Sequence, residues 1–432
     1  MNSSSNNMFK RLGYFWYVIS TQAYFLLVKI VAPINQRARK LVLGQKALLS
    51  HIKQSEASKS SNNIWFHVSS LGEFEQGRPL MEALKAKLPN HRIVVTFFSP
   101  SGYEAKINDP IADAVYYLPF ESKNNAQELI NILQPKMAFW VKYDFWYQYL
   151  IELKNKQIPV FLIAAQFRLN QIFFNPLASF HASILHLFNF IFCQTHLSEE
   201  LLSKIGQTNH LFTGDNRYDR VIQNTQNIEE IAFITNFQNN ETTLIVGSSY
   251  QTEEQMIQYA IQQQTPAFKC IIAPHFVDED RIKEIEKLFG KQAIRYSQIN
   301  KESNLSSYKI LIIDCIGLLS RLYKYGHLAF VGGGFWENGL HNSLEPAAFG
   351  MPLSFGPKLR RFPEAQDLVE LGFAKTIHNK EEFHQWLVQH LNNPSNRLTI
   401  SQNCREFVQS NKGATQKVML KIESLNHFQT LA

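Results

Sequence analysis

The sequence predicts an α/β protein of two domains, each with a parallel, doubly wound sheet, preceded by a hydrophobic helix. Short apolar runs alternate with stretches of helical spacing over residues 64–223, and a second such series covers residues 243–355. A chain of 432 residues is also too long for one typical core. With 45% hydrophobic and 18% charged residues, both domains can fill a core, so wholesale disorder is excluded.

The strand candidates are short apolar runs bounded by turn residues. Those of the first series are Ile64–Val68, Arg92–Phe98, Ala114–Leu118, Lys136–Val141, Val160–Ala165 and Phe190–Gln194. Those of the second series are Thr243–Gly247, Phe268–Ala273, Lys309–Ile313, Leu328–Val331 and Pro352–Phe355. A polar, strand-poor stretch over residues 224–241 separates the two series and marks the expected hinge. The predicted organisation is an anchor and basic flank over residues 1–50, a first domain over 51–223 that opens with a polar linker (51–63), and a second domain over 224–432. The last helix could pack back on the first domain.

The hydrophobic segment over residues 13–32 is just long enough to span a bilayer. Basic residues flank it on both sides, at Lys10, Arg11, Arg37, Arg39 and Lys40, and aromatic residues lie within it. This combination is typical of a membrane anchor on an anionic surface, and burial in the interface is preferred to a span. The alternative is an ordinary hydrophobic helix docked on the protein. No small-residue cleavage site follows, so a cleaved signal peptide is not expected.

The net charge indicates the kind of partner that the protein binds, and the cysteine content indicates the redox environment in which it works. The formal net charge of +7 and the pI near 9.0 indicate an anionic partner, and nucleic acid, anionic lipid and phosphorylated substrates all remain open. The four cysteines are scattered and form no CxxC pair, so neither a zinc site nor a disulfide framework is indicated. A reducing, cytosolic environment fits best.

The segment HVSSLGEF places Glu73 between a buried strand and a helix. The apolar run before it suits a strand, and the apolar residues after it recur at helical spacing, so Glu73 falls in the first helical turn. A carboxylate is favourable there because the helix N-terminus carries partial positive charge. Glu73 is therefore either a helix-start acid or a catalytic base at the carboxyl end of a strand, where open α/β sheets bind ligands.

Four loops that follow strands of the second domain carry residues suited to a nucleotide. They contain Gly247, Ser248 and Ser249; Pro274 and His275; Ile316, Gly317 and Leu318; and Asn342, Ser343, Leu344 and Glu345. Small residues let backbone N–H groups approach a phosphate, and Asn342 or Ser343 can cap a helix whose free N–H groups bind one. Glu345 could accept hydrogen bonds from both ribose hydroxyls. A GxGxxG fingerprint and a P-loop motif are both missing from the sequence, which argues against NAD and P-loop nucleotide sites.

Two Rossmann-like domains with a cleft between them occur in glycosyltransferases of GT-B architecture, in periplasmic-type binding proteins and in some epimerases, so the fold does not choose a function. Two motifs are more specific. SSLGEF around Glu73 and GLHNSLEPAAFGMP around Glu345 resemble the characteristic motifs of 3-deoxy-D-manno-octulosonic acid (Kdo) transferases. TGDNRYD (213–219), GSSY (247–250) and GATQKVMLKIESL (413–425) match as well, and the resemblance covers nearly the whole chain.

The resemblance implies an inverting GT-B enzyme on the cytoplasmic face of the bacterial inner membrane. It would transfer Kdo from CMP-Kdo to a sugar hydroxyl of a lipid A precursor, with no metal or other cofactor and no nucleic acid partner. Glu73 would be the general base, and Arg217, in place of a family lysine, would stabilise charge on the departing phosphate. The CMP site would be formed by the loop residues from Pro274 to Glu345 named above.

Two departures from the family pattern limit this transfer of roles. The family's Glu-x-Glu-x-Trp segment reads Lys142-Tyr143-Asp144-Phe145-Trp146 in this chain. Lys142 replaces the first acid and reverses its charge, so a role of that acid does not transfer. Asp144 could keep the role of the second acid and help to hold the acceptor or orient Arg217. The family's Pro-Arg-His is shortened to Pro274-His275. Two other functions stay open: a GT-B transferase that uses another nucleotide sugar, and a non-catalytic, membrane-tethered nucleotide-binding protein.

Overall fold

The computed structural model of the chain describes residues 3–226, 228–263, 265–300, 302–336, 339–360 and 362–427. The chain forms two compact units. Unit 1 comprises Met1–Arg220 and Gly413–Ala432, and unit 2 comprises Val221–Lys412. The chain passes from unit 1 to unit 2 between Arg220 and Val221, and the last described helix belongs to unit 1.

Unit 1 is built on a parallel seven-stranded sheet of order β3-β2-β1-β4-β5-β6-β7. The strands are β1 (Asn63–Val68), β2 (Arg92–Phe97), β3 (Ala114–Tyr117), β4 (Pro135–Val141), β5 (Val160–Ala165), β6 (Phe190–Cys193) and β7 (His210–Phe212). The strand order reverses between β1 and β4, which pair side by side with Phe66 opposite Phe139. The crevice outside the carboxyl ends of these two strands is where open α/β sheets bind ligands.

Helices cover both faces of this sheet. They are α1 (Ser3–Val31), α2 (Gln36–Gly44), α3 (Leu48–Gln54), α4 (Glu56–Lys59), α5 (Leu71–Lys87), α6 (Pro100–Lys106), α7 (Lys123–Leu133), α8 (Tyr147–Asn155), α9 (Ser179–Leu185), α10 (His196–Lys204), α11 (Asn216–Asn224) and, from the end of the chain, α20 (Ala414–Ser424). Successive strand residues point to opposite faces, so Trp65 packs with α7 and α8 while Phe66 packs with α5 and α20. Val418 and Ile422 of α20 are fully buried in this second core.

Unit 2 repeats the architecture on a parallel sheet of order β10-β11-β9-β8-β12-β13-β14. The strands are β8 (Thr243–Ser249), β9 (Lys269–Pro274), β10 (Ala293–Arg295), β11 (Ile310–Ile312), β12 (Leu328–Val331), β13 (Leu353–Phe355) and β14 (Ala374–Thr376). The helices are α12 (Ile234–Gln238), α13 (Gln251–Gln262), α14 (Glu279–Phe289), α15 (Leu319–Leu322), α16 (Leu344–Ala348), α17 (Pro363–Glu370), α18 (Lys380–Asn392) and α19 (Pro394–Ser410). Here the order reverses between β8 and β12.

The α/β class, the two parallel sheets and every strand predicted from the sequence are confirmed, with ends that shift by one or two residues. The strands β7, β10 and β14 were missed, since each has three residues and lies at a sheet edge. The predicted linker over residues 51–63 is wrong. It contains the end of α3 and all of α4, because Ile52 and Ala57 are apolar and become buried in the core of unit 1.

Helix α1 lies along unit 1 with one face docked and the other exposed. The Tyr17 hydroxyl donates to Glu121 Oε2 at 2.8 Å, and Gln22 Nε2 donates to the Glu121 carbonyl at 2.9 Å. Phe25 stacks on Phe120 at 4.4 Å between ring centroids. The outer face presents apolar side chains such as Trp16, which is 59% exposed. Within the described residues, Lys10–Val31 is one helix long and apolar enough to cross a membrane, which by itself indicates membrane association only weakly.

Candidate active site

Glu73 lies at the carboxyl end of β1, beside the point where the strand order of unit 1 reverses. Ser70 Oγ accepts a hydrogen bond from the Glu73 N–H at 3.4 Å, and the Glu73 carboxylate accepts one from the Ser69 N–H. The Ser70 hydroxyl caps the start of α5, and the Glu73 carboxylate binds the N–H of the residue before the cap. The predicted position in the first helical turn is therefore confirmed, and the side chain does have the structural role of a helix-start acid.

The pKa of the Glu73 carboxyl group differs from that of an ordinary helix-start acid. Burial raises the pKa of its carboxyl group to about 7, and the negative charge of Asp144 adds to the rise. The Ser69 N–H and the positive charge of Lys142 act in the opposite direction. An exposed helix-start glutamate would titrate near the ordinary value of 4.5. A carboxyl group that titrates near neutral pH is suited to take a proton from a sugar hydroxyl.

The turn after β4 brings a second acid towards Glu73. Lys142 has a left-handed backbone with φ of 66°, which is uncommon for a residue other than glycine. Asp144 Oδ2 lies 3.8 Å from Nε2 of His67, a fully buried histidine of β1. The other ring nitrogen of His67 is 3.0 Å from Thr96 Oγ1. His67 was not singled out from the sequence, although a histidine inside an apolar strand just before the Ser-Ser turn was an available signal.

Two arginines lie near the same edge of the unit 1 sheet. Arg217, at the start of α11, pairs with Asp215 through Nε and Oδ2 at 2.8 Å. The pKa of Tyr143 is raised by burial and by Glu73 and lowered by Arg168 and Arg217, so Tyr143 lies within electrostatic reach of all three. The sequence predicted a role for Arg217 but missed Arg168, which follows β5 in a loop without a motif.

A third arginine reaches this edge from α2. The Arg37 guanidinium donates to Ser99 Oγ at 3.2 Å, and the Ser99 N–H donates to the Ser69 carbonyl at 2.9 Å. Because the Ser69 N–H donates to Glu73, a chain of three hydrogen bonds links Arg37 to the carboxylate. Positive groups therefore flank Glu73 from the β2 side and from the β5 side of the sheet.

The corresponding edge of unit 2 is formed by the ends of β8 and β12. Strand β8 continues through Gly247 and Ser248 to Ser249, so these three residues belong to the strand and not to the loop that the sequence predicted. Ser248 is left-handed, with φ of 53°. The Ser249 hydroxyl donates to the buried carboxylate of Glu254 at 2.8 Å. The small residues here therefore pack against unit 2 itself.

The triple glycine after β12 allows two backbones to approach each other closely. A Cβ atom on Gly332 would lie 2.1 Å from the Ser248 carbonyl oxygen, and one on Gly334 would lie 2.7 Å from the Gly356 backbone. Gly333 has φ of 91°, and its N–H donates to the buried Glu253 carboxylate at 3.0 Å. Glycine is required at these positions by the packing of the loop, whether or not a phosphate binds there.

We expect Gly332→Ala to lower the free energy of unfolding by about 2–3 kcal/mol, because the added methyl group must displace backbone and not a flexible side chain. Gly72→Ala is the matched control, since the nearest atom to its Cβ is 4.0 Å away and α5 gains a better helix former. Denaturant unfolding of both variants measures the difference. Equal stability of the two variants would contradict the close packing at Gly332.

A cluster of three rings lies at the carboxyl ends of β8 and β9. The three rings contact one another in pairs: the centroid of His275 lies 5.1 Å from that of Tyr250 and 4.6 Å from that of His341, and Tyr250 and His341 are 5.8 Å apart. The Tyr250 hydroxyl lies 3.1 Å from His341 Nε2. Burial lowers the pKa of His275, and burial together with the charge of His275 lowers that of His341 to about 4. Both imidazoles are therefore neutral at physiological pH. Pro274 ends β9 and places His275 at this edge.

The segment around Glu345 is a tight turn followed by a short helix. The Asn342 side-chain carbonyl accepts from the Leu344 N–H at 3.1 Å, and its amide donates to Glu345 Oε1 at 3.1 Å. Of the two predicted caps, Ser343 occupies the N-cap position without a side-chain bond to the helix, and its shielded hydroxyl has no hydrogen-bond partner among the described residues. Helix α16 has five residues.

The remaining predicted loop follows β11. Gly317 is left-handed with φ of 98°, and Ile316 is 88% exposed, while Leu318 precedes α15. The structure thus places Glu73, Asp144 and Arg217 at the edge of the sheet in unit 1 and the other predicted residues at the matching edge in unit 2. In the described parts of the chain, no group of three or more metal-ligating side chains is found.

Three comparisons with known proteins agree with the motifs. Residues 43–220 match the family model described as 3-Deoxy-D-manno-octulosonic-acid transferase (kdotransferase). The 3-deoxy-D-manno-octulosonic acid transferase of Chlamydophila psittaci is 24% identical over 379 residues, which cover 84% of this chain and 85% of the relative. The enzyme of the same name from Haemophilus influenzae is 24% identical over 368 residues, which cover 82% and 85%. The chain is therefore similar to Kdo transferases over more than four fifths of its length.

A solved structure supports the fold assignment. UDP-GlcNAc 2-epimerase from Neisseria meningitidis, bound to UDP-GlcNAc, aligns with a TM-score of 0.57 at 14% identity and covers 84% of this chain and 100% of that chain. At this identity the likeness shows the fold alone. The predicted GT-B fold, the resemblance to Kdo transferases and the class of enzyme, a glycosyltransferase, are confirmed. The roles of individual residues stay predictions.

Proposed function

We propose that this enzyme transfers Kdo from CMP-Kdo to a sugar hydroxyl of a lipid A precursor, with inversion at the anomeric carbon and Glu73 as the general base. The observation that carries the proposal is the Glu73 carboxyl group. Its pKa is about 7, and it lies beside the point where the strand order of the unit 1 sheet reverses. Such a group is half ionised near neutral pH, which is where a general base is most effective.

The proposed reaction needs one proton acceptor and one source of positive charge. Glu73 takes the proton from the acceptor hydroxyl as its oxygen attacks the anomeric carbon of Kdo from the face opposite CMP. The bond between that carbon and the phosphate oxygen breaks, and its electron pair leaves with CMP. Arg217 stabilises the charge that develops on the phosphate. Its pairing with Asp215 holds the guanidinium in one orientation.

The proposed donor site is the carboxyl edge of the sheet in unit 2. Glu345 would accept hydrogen bonds from the ribose, and the Ser343 hydroxyl, which has no partner among the described residues, offers a further donor. His275 and His341 are neutral and so can each donate one N–H to a phosphate oxygen without carrying a permanent charge. The backbone of the loop that contains Ile316, Gly317 and Leu318 would read the edge of the cytosine base. No metal or other cofactor is proposed.

The proposed acceptor is anionic and lies in a membrane. Arg37, Lys142 and Arg168 surround the edge of the sheet where Glu73 lies, which favours a negatively charged acceptor. Helix α1 belongs to the same unit and exposes an apolar face, so the protein would rest on the cytoplasmic face of the inner membrane with α1 in the interface.

The test is to incubate detergent-solubilised protein with freshly made CMP-Kdo and a lipid A precursor, and to analyse the lipid by mass spectrometry. Addition of one or more Kdo masses is the expected result. A panel of UDP- and ADP-activated sugars serves as the control for the donor. Transfer from one of those sugars, with none from CMP-Kdo, would show that the proposed donor is wrong while the class of enzyme stands.

The pH dependence of kcat/KM is expected to follow the ionisation of Glu73. The carboxylate is the active form, so kcat/KM should be constant above about pH 7 and fall about tenfold per unit below it. Asp144→Asn removes a charge that raises the pKa of Glu73 and should move the break to lower pH, whereas Lys142→Met should move it to higher pH. A break that stays in place in both variants would mean that another group limits the rate.

A further inference from the structure

Unit 1 contains a groove that neither the transfer reaction nor the nucleotide site uses. It lies between α1, the loop over residues 166–178, α9 and the end of α10, and its volume is about 510 Å³. That volume falls in the range of small-molecule pockets, about 300–1,000 Å³. The apolar part of its lining includes Leu169, Phe173, Phe174 and Leu201.

The groove is rigidly supported on its inner side. Phe173 packs edge-on against Phe145 at 5.1 Å between centroids, and Phe174 packs against Phe167 at 5.4 Å. Phe145 and Phe167 belong to the buried core of unit 1. The hydroxyl of Ser179, which also lines the groove, is shielded and has no hydrogen-bond partner among the described residues. The phenylalanines are therefore held in place on their inner side and remain partly exposed to the groove.

The loop beside the groove exposes large apolar side chains. Leu169 is 67% exposed, Ile172 is 48% exposed and Leu177 is 72% exposed. Three such side chains within one short loop form an exposed apolar surface, which usually marks a site of interaction. The loop leads directly into α9, which packs against α1, where a Cβ on Gly13 would lie 2.6 Å from Phe180 Cβ.

Two features identify the partner. The groove is continuous with α1, because Lys10 of α1 is one of its lining residues, and the outer face of α1 is apolar. Lys10 and Lys204 supply positive charge next to an apolar interior. An acyl chain joined to a phosphate headgroup has this distribution of apolar and negative groups.

We propose that the loop over residues 166–178 is a second membrane-contact element beside α1, and that the groove binds one acyl chain of an anionic bilayer phospholipid whose phosphate lies at Lys10 and Lys204. Leu169 and Leu177 enter the acyl layer together with the outer face of α1. The loop and helix hold unit 1 at the membrane by two separate contacts. This proposal does not depend on the transfer reaction, because the lipid is a component of the bilayer and not a substrate.

The test is flotation of the full-length protein with phosphatidylethanolamine–phosphatidylglycerol vesicles that contain no sugar donor and no lipid A precursor. Leu177→Glu should bind at least about tenfold more weakly than the wild type, because an exposed leucine that is buried in lipid is replaced by a charge. Leu420→Glu is the matched control: it is 57% exposed on α20, on the opposite face of the unit 1 sheet, and should bind as the wild type does. Equal binding of the two variants would overturn the proposal.

Two further measurements separate the parts of the proposal. Lys204→Glu should weaken binding about fivefold to vesicles with phosphatidylglycerol and leave binding to phosphatidylcholine vesicles unchanged. No effect, or an equal effect on both, would show that the phosphate does not lie at the lysines. In Leu177→Trp, the added emission should be quenched by brominated acyl chains, and unquenched emission would place the loop outside the lipid. If the variants differ from the wild type only after a lipid A precursor is added, the groove binds the acceptor's chain and the bilayer-lipid proposal is wrong.

Discussion

Glu73→Gln is expected to lower kcat by about 10³, because the amide cannot take the proton of the acceptor hydroxyl. Binding of CMP, measured by calorimetry, should be unchanged, since the residues proposed for the nucleotide belong to unit 2. Glu200→Gln, an exposed acid on α10, is the control and should keep full activity. If Glu73→Gln transfers Kdo as fast as the wild type, Glu73 is only a helix-start acid and another base must exist.

The free energy of unfolding of Glu73→Gln shows whether a loss of activity comes from lost catalysis or from misfolding. The folded pKa of Glu73, about 7, lies above the unfolded value near 4.5, so the folded state holds a proton that the unfolded state has lost between these pH values. The stability of the wild type therefore falls as pH rises from 4.5 to 7 and then stays level. Because glutamine carries no charge, Glu73→Gln should be more stable than the wild type by about 3 kcal/mol at about pH 8 and by little at about pH 5. Loss of activity with this gain in stability would rule out misfolding as its cause.

Arg217→Ala is expected to lower kcat by about 10²–10³, because the charge that develops on the departing phosphate loses its cation. Arg217→Lys keeps the positive charge and should recover most of the rate. Lys283→Ala removes an exposed cation from α14 and is the control for net charge. The rate of CMP release at saturating donor measures the effect.

The alanine variant also tests whether Arg217 acts on the transition state or only on binding. A rise in KM for the donor with an unchanged kcat would show that the guanidinium binds the ground state and the transition state equally. Asp215→Asn should lie between the wild type and Arg217→Ala, because it leaves the guanidinium in place but removes its carboxylate partner. An Asp215→Asn variant slower than Arg217→Ala would mean that Asp215 has a role of its own.

The central strands of both sheets could be predicted because their sequence signal is local. Runs such as residues 64–68 and 243–247 are apolar, short and bounded by turn residues, and they are buried on both faces in the structure. The edge strands β7, β10 and β14 could not, since three residues carry no periodicity and are extended only because a neighbouring strand pairs with them. Ile52 and Ala57 were misjudged for a related reason, as their burial depends on the strands beneath them.

Some residues of the candidate site could likewise be predicted from a local sequence signal, and others could not. Glu73 and Glu345 stand in motifs that follow strands, so their places at the sheet edges were predictable. Arg168 and Arg37 were not, because they lie 95 and 36 residues from Glu73 along the chain and come near it only through the order of the strands and the docking of α2. His67 did carry a local signal, as a histidine in an apolar strand, but was not singled out. The purpose of the triple glycine was also not predictable, since it depends on the Ser248 and Gly356 backbones.

The sequence by itself determined the class of fold, the central strands, the resemblance to Kdo transferases and the position of the Glu73 carboxylate at the start of a helix. These follow from apolar spacing and motifs within a few residues of each other. Only the tertiary structure decided the pKa of that carboxylate, the arginines around it, and the groove beside α1. The electrostatic energy of a carboxylate depends on its burial and on its distance in space from other charges, and not on their separation along the chain. These distances exist only in the assembled sheet.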